Sequence, residues 1–553
     1  MPEITASWIS LPENVSMSEA KKEEKFSGKS LLKSSSGMAV ATFLSRIFGL
    51  FRVRLEAAVL GGGEVASAWL FAFAIPNLLR RVLGEGAIAS ALTPLIAETE
   101  VQEGVAKVKK QLAYVFLMLG IILAGIVILT SLGSWLILKY SGAFGIEFFE
   151  YSRIRLLFQL LIILMPYGFF ICLVGVVGAV LNYAKIFLLP ALAALLLNIV
   201  LLGVLSVAWI FAMPSEQFLP ILAVSVPISG VLQLLIMSFW LWRSGYFPDF
   251  RNFMQGQDIG RKLWKLALPG IIGYAALQLS FVIDQSMAAS LNSQAIPALN
   301  YVNRIVDIPI GLIAVSFGTV LNTMMSRAAA AGEKDEISKT LAFSLRTVWF
   351  VTLPLAVLIM FFHNNILQIL CLGGKYTESD LRAAHLVAIF YSLGIPFFCS
   401  LKVILPAFYS RKKMKTVLAV SVCAIVCNVV LNYILMQYFA QGGIALATVA
   451  ASLINNGALL CLLRREDMIR DVKTTTLTFV RSAAVAMAGG AGLYFVYCRW
   501  VQMWSAVHWS REIYVLAGIG IVFGVFYFAG SWLLKSPECR EIINLLLRRF
   551  KKN

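Results

Sequence analysis

Charge is what this chain of 553 residues has least of: 14% of positions are Asp, Glu, Lys or Arg, against 59% hydrophobic. A soluble domain carries nearly twice that charge, so a soluble globular class is excluded. Histidine is almost missing as well. The three present, His363, His385 and His508, are scattered along the chain, which argues against a histidine-built metal site. The eight cysteines include no CxxC pair. Cys423 and Cys427 fall one helical turn apart in an apolar run, where packing is their usual role. No stretch matches GxxxxGK[ST], so ATP cannot drive the chain directly through such a loop. Nor does a nucleophile–base set stand out, and nothing here indicates an enzyme. The first 30 residues lack an apolar core and are no signal peptide. Residues 1–33 read as a disordered, polar cytoplasmic extension, with Met17 an alternative start.

What the chain does have is long apolar runs. Fourteen are recognisable, from about 34–60 and 65–95 to about 475–498 and 512–534. The expected class is therefore an all-α polytopic membrane protein. Basic residues gather in loops after even-numbered segments: Lys107, Lys109 and Lys110; Arg251, Arg261 and Lys262; Arg411, Lys412, Lys413 and Lys415. Loops after odd-numbered segments read GGGE, MPSEQ and NSQ, with Arg153, Arg155, Lys375 and the stretch around Arg499–Arg511 as exceptions. This bias places both termini in the cytoplasm. It also accounts for the net charge of +18 without any nucleic acid partner.

A weak internal repeat suggests two lobes. Pro166 and Asn198 recur at the same spacing as Pro396 and Asn428, and Ile75–Pro76 is echoed by Ile308–Pro309. Six helices separate each pair, so the repeat is parallel, a transporter pattern. The expected organisation is a first lobe over 34–247 (segments 1–6) and a second over 266–465 (segments 7–12). Segments 13 and 14 follow over 466–535, then a basic cytoplasmic tail over 536–553. The linker 248–265 alternates Phe250, Phe253, Met254 and Ile259 with Arg251, Asp258 and Arg261. It reads either as an amphipathic helix at the interface or as an ordinary polar loop.

The stretch Ser45–Glu98 is the chemical centre. It reads as two spanning helices joined at Gly61–Gly63, yet it carries Arg46, Arg52, Arg54, Arg80 and Arg81. The residues from Ala66 to Leu79 are too few to cross a bilayer, which needs about 20. The second helix must therefore run through Arg80–Arg81 to about Pro94. A first helix beginning near Lys33–Ser34 puts Arg46 roughly 18 Å deep. An arginine there costs about 2.5–3.5 kcal/mol, so these side chains must face a polar interior and an anion is their natural ligand. At 100° per residue Ser45, Gly49 and Arg52 share one face, and Arg46 lies on another. Arg80 shares a face with Pro76, Gly84 and Ala87, small residues that leave room for a ligand. The residues alone admit a second reading, buried ion pairs that glue helices together: Arg52 with Glu56, Arg81 with Glu85, Arg304 with Asp307.

SRIFGLFR (45–52), AIPNLLRRVLGEGAIASALTPLIAE (74–98), NRIVDIPIGLIAVSFGT (303–319) and LKVILPAFYSRKKMKT (401–416) resemble the MurJ/MviN family of lipid II flippases. That family lies within the multidrug/oligosaccharidyl-lipid/polysaccharide exporter superfamily. The resemblance covers all fourteen segments in order. It implies a V-shaped pair of six-helix lobes, a cationic central cavity, and segments 13 and 14 forming a groove for a lipid tail. The implied ligand is undecaprenyl-diphosphate-linked disaccharide–pentapeptide, flipped to the outer leaflet of the bacterial inner membrane by a monomer among membrane lipids. The family's functional arginines fall on Arg46, Arg52, Arg80 and Arg304, and Ser45 and Glu85 complete the expected substrate-facing set. Two departures are Val53, where many members have an acid, and Ser67, where an aspartate is common. Arginine suits a diphosphate because its planar fork donates paired hydrogen bonds and keeps its charge.

A second site is expected around Asp284, an isolated carboxylate in segment 7 beside Phe281, Val282 and Ile283. Asn428 and Asn432 lie one turn apart, and Thr448 adds a hydroxyl. Four oxygen ligands and one negative charge suit Na⁺, and the resemblance implies a sodium site there. The other reading is a protonated Asp284 bonded to an asparagine, with the amides serving packing. An ion-coupled multidrug or polysaccharide-lipid exporter of the same superfamily is the alternative function, and a membrane scaffold a third.

Overall fold

The computed structural model describes residues 44–140, 151–411, 413–469, 472–501 and 509–541. The N-terminal extension, the start of the first helix and most of the basic tail fall outside those residues. The chain is all-helical among them. In order come α1 (44–60), α2 (Glu64–Leu79), a π-helical stretch (Arg80–Ala87), α3 (Ile88–Glu103), α4 (Val105–Tyr140), α5 (Tyr151–Tyr183), α6 (Leu188–Ile210) and α7 (Ser215–Arg243). A 3₁₀ stretch (Phe250–Gly256) leads to α8 (Asp258–Ala289), α9 (Ala295–Ala330), α10 (Lys334–Leu370), α11 (Glu378–Tyr409), α12 (Met414–Phe439) and α13 (Gln441–Arg465). Then come α14 (Val472–Val496), a second π stretch (Tyr497–Val501) and α15 (Trp509–Leu533).

Ten of these helices are long and apolar enough to cross a membrane. The sequence segments not among them fall on α1, the α2–α3 rod, α8 and α9. Those are the helices that carry Arg46, Arg52, Arg80, Arg81, Asp284 and Arg304. As the segment length demanded, the second helix does not stop at the arginine pair. It passes through them as a π turn and continues to Glu103, beyond the expected Pro94.

Two large apolar cores organise the molecule, one from α2 to α7 with the start of α8 (Ile259, Leu263, Ala267), and one from α9 to α13 with Ala288 at the end of α8. Val53 and Ala57 of α1 belong to the second core, and Val59 and Leu60 to the first. Thus α1 is shared between lobes, and Val53 is apolar because it packs into the far lobe. A third, smaller cluster joins α14 and α15 to α10 through Phe350, Val357, Val485, Phe523 and Tyr527. Beyond α15, Glu538 is buried, accepting from Thr478 (2.9 Å) and Ser536 (2.8 Å) and facing Arg346 (3.5 Å).

The loops sort by side. Those after odd-numbered segments meet one another: Lys375 donates its backbone N–H to Ala58 (2.8 Å) and its ammonium to Ser215 (2.5 Å), and Gln294 donates to Asp380 (2.7 Å). Those after even-numbered segments also meet. Lys107 and Lys110 reach Gln255 (3.0 and 2.6 Å), and Lys413 reaches Glu466 (2.6 Å). The linker is therefore docked on the start of α4, with Gly256 against the Lys110 backbone, while Phe250 and Met254 stay exposed.

Candidate functional site

The two faces of α1 do different work. Ser45, Gly49 and Arg52, one face by helical phase, all lie against Asn198 of α6. The Asn198 amide donates to the Ser45 carbonyl (3.2 Å), and Arg52 Nη1 donates to Asn198 Oδ1 (3.1 Å). Arg52 is buried, paired with Glu56 (3.4 Å) and set 5.7 Å over the Phe73 ring. Trp69 donates to the same Glu56 (3.4 Å). The helix-gluing pair expected for Arg52 is present.

Arg46, one residue round the helix, points to the other lobe. Its Nη1 donates to the Asp307 carbonyl of α9 (2.9 Å), and its guanidinium lies over Gly311, where a Cβ would overlap it. A glycine at 311 is what lets the two helices hold an arginine between them. Arg304, one turn before Asp307 on α9, is exposed, and its electrostatic neighbours are Arg52, Arg81, Asp307 and Glu56. Asp307 in turn feels Arg304, Arg81, Arg46 and Lys402. Among the described side chains, five cations and two carboxylates thus converge where the lobes meet, an excess of positive charge.

The π stretch changes the phase on which the Arg80 expectation rested. Gly84 does not leave room for a ligand: it packs against Gly175 and Cys172 of α5, close enough that a Cβ on Gly175 would collide with the Gly84 backbone. Arg80 is half-buried, whereas Arg81 is exposed and donates to Gln278 of α8 (3.3 Å). A π turn adds a residue per turn and re-aims the side chains beyond it, a device frequent at functional sites. Arg81 and Lys402 are the site cations that sequence reading left aside. Arg81 had a local partner in view, Glu85, whose side chain lies outside the described ones; Lys402 sits in an otherwise ordinary apolar helix.

The second cluster assembles as expected on three helices. Asp284 (α8) accepts from Asn432 (2.5 Å) and Thr448 (3.2 Å). Asn428 accepts from Ser280 (3.1 Å) and Asn432 (3.3 Å) and donates to Thr448 (3.4 Å). Asp284, Asn428 and Asn432 are all buried, and among the described residues the Asn432 Oδ1 has no hydrogen-bond partner. A buried amide oxygen beside a carboxylate is a fitting start for a monovalent cation's oxygen shell. Among the described residues no group of three His, Cys, Asp or Glu could hold a transition metal.

The fold and this interior define a class: a polytopic helical transporter with two lobes around a cationic centre. The family profile described as "Lipid II flippase MurJ" matches residues 56–514. The chain belongs to that family. Among curated relatives, the "Probable lipid II flippase MurJ" of Rhizobium tropici is 30% identical, covering 85% of this chain and 88% of its own. That of Vibrio cholerae serotype O1 is 28% identical, covering 93% and 98%. A solved structure, "Lipid II flippase MurJ, inward closed conformation", shares the fold with a TM-score of 0.71 at 24% identity, covering 90% of this chain and 99% of its own.

Proposed function

We propose that this protein moves lipid II from the cytoplasmic to the outer leaflet of the bacterial inner membrane by alternating access, as a monomer with both termini cytoplasmic. It is a transporter and not an enzyme. The observation that carries the reading is the convergence of Arg46, Arg81, Arg304 and Lys402 from both lobes at one place. Arg46, Arg80 and Arg304 hold the diphosphate, with Arg81 added from the geometry; Arg52 supports the wall from behind. A cavity for cationic drugs would carry an excess of carboxylates, so the exporter alternative fits this interior poorly. The inside-negative potential favours outward movement of an anion by about 2.3 kcal/mol per charge per 100 mV.

Na⁺ binding at Asp284, Asn428, Asn432 and Thr448 accompanies transport. The cluster's own bonding supports this. Asn428, which the repeat pairs with Asn198, already accepts from Ser280 and Asn432, whereas among the described residues no donor reaches the Oδ1 of Asn432, whose amide nitrogen bonds the Asp284 carboxylate. An exchangeable cation there would balance the buried carboxylate and take up that oxygen.

The test is rescue of cells depleted of their own lipid II flippase. The native chain should restore growth, and Ala at Arg46 or Arg304 should cut transport at least tenfold at normal expression. Lys should rescue poorly, because it lacks the paired donors. Full rescue by both Ala variants would overturn the diphosphate assignment. Replacing Na⁺ by K⁺ or choline at fixed potential should slow the native chain but not Asp284→Asn.

A further inference from the structure

At the far ends of α10 and α11, away from the arginine cluster, lies a cavity of about 410 Å³ lined by Asn364, Gln368, Glu378, Leu381, Arg382 and His385. Asn364 and Gln368 sit in the last two turns of α10, and the other four in the first turns of α11. These are the ends of two helices long and apolar enough to cross a membrane, and such ends meet the membrane–water interface. Glu378 and Arg382 are one turn apart, acid before base, the favourable order for an intrahelical pair. Yet both are exposed, and neither has an ion-pair or hydrogen-bond partner among the described residues. The cavity therefore presents one anion and one cation, unspent.

The histidine pair defines a third group. His363 Nδ1 is 2.7 Å from the Met360 carbonyl, and His363 Nε2 is 2.7 Å from His385 Nδ1. A carbonyl only accepts, so a neutral His363 carries its proton on Nδ1 and accepts at Nε2. A neutral His385 then donates from Nδ1 and keeps Nε2 as an acceptor, on a residue that lines the cavity. Both facing nitrogens are committed to one shared proton, and no third metal-ligating residue among the described ones joins them.

Below the cavity the surface is apolar. Leu386 (38% exposed) and Leu393 (46% exposed) follow Arg382 at helical spacings of four and eleven, on one stripe of α11 running into the membrane. Carboxylate and bare imidazole nitrogen match an ammonium with N–H donors; guanidinium and two amides match a phosphate. We propose that this cavity binds a phosphoethanolamine headgroup, carried by a membrane lipid whose chains lie along the Leu386–Leu393 stripe.

Phosphatidylcholine is the informative control, since its quaternary nitrogen has no N–H to donate. The purified full chain would be placed in nanodiscs of phosphatidylcholine doped with phosphatidylethanolamine or phosphatidylglycerol, and retained lipid counted by native mass spectrometry. One phosphatidylethanolamine per chain should be retained at least tenfold over phosphatidylcholine. Glu378→Gln should bring that ratio close to one, and Arg382→Ala should lose both lipids. Both variants should keep native melting temperature and lipid II transport, since neither touches the central site. Equal retention of ethanolamine and choline lipids by the native chain, or stronger retention of phosphatidylglycerol, would overturn the proposal. Equally tight binding of soluble glycerophosphoethanolamine would overturn its lipid part, as the chains would then add nothing.

Discussion

A buried guanidinium next to a buried carboxylate is tolerable only while both are present. Arg52 and Glu56 meet that condition: their side chains are 7% and 2% exposed, and Asn198 and Trp69 take up further hydrogen bonds. Removing one partner leaves the other charged in a dry place, a loss of about 3–5 kcal/mol in comparable pairs. Glu56→Gln should therefore lower the thermal midpoint of the detergent-solubilised chain well below that of Arg46→Ala, because among the described residues the Arg46 guanidinium bonds a carbonyl and no carboxylate. Gly311 makes the complementary case. An alanine there pushes the Arg46 guanidinium away from the Asp307 carbonyl without deleting it. Gly311→Ala should reduce transport in the same direction as Arg46→Ala, with expression and melting unchanged, as measured by rescue and thermal shift.

Among elements, α1 and the clasp it enters join the two lobes on one side. The α1–α2 loop folds against the loop before α11 so closely that glycine is required: Gly61 has φ +78°, and a Cβ on Gly62 would overlap Asp380. Arg54 donates to the Leu372 carbonyl (2.6 Å), and Tyr301 to the Gly61 carbonyl (3.3 Å). Asp380 caps α11 through Thr377, so a side chain at 62 disturbs the helix start as well. Gly62→Val should prevent this clasp from closing and raise cysteine labelling of the interior from that side. On the opposite side Glu466 ties α13 to the α11–α12 loop. Burial pushes its carboxyl up, but hydrogen bonds from Lys413 and Arg411 outweigh it and hold the group below its usual range. A lowered carboxyl pKa contributes stability above the ordinary Glu value of about 4.3 and loses it as pH falls through the folded value. The native chain should thus lose more thermal stability than Glu466→Gln when melting is followed from pH 6 down to pH 3.

For the whole molecule, alternating access requires the clasp to part while the interior arginines exchange partners. Cysteines at Ala58 and Lys375, whose backbones are hydrogen-bonded at 2.8 Å, should form a disulfide that locks that side. Oxidation should stop lipid II transport and reductant restore it; continued transport in the oxidised form would rule out movement at this seam. The small-residue crossing of Gly84 on Gly175 is a fixed point by comparison, since it lies inside the first core.

The sequence by itself determined the class, the rod running through Arg80–Arg81, the sidedness bias of the loops and the pairing of Asn428 with Asn432 on one helix face. Each derives from local quantities: hydropathy over about 20 residues, the 1.5 Å rise of a helix, and the one-turn spacing of Asn428 and Asn432. That Asp284 and Thr448 join the two asparagines was what the family resemblance implied, and the tertiary structure brings them together. The two faces of α1 were also readable, because phase along a regular helix is additive. Tertiary structure alone decided which lobe each face meets, so that Arg52 closes on Asn198 while Arg46 crosses to Asp307. It decided too that Arg81 reaches α8 and that Gly84 serves helix packing. A π turn breaks the 100° count from within, and a glycine's partner across a crossing leaves no mark in its own neighbourhood of the chain.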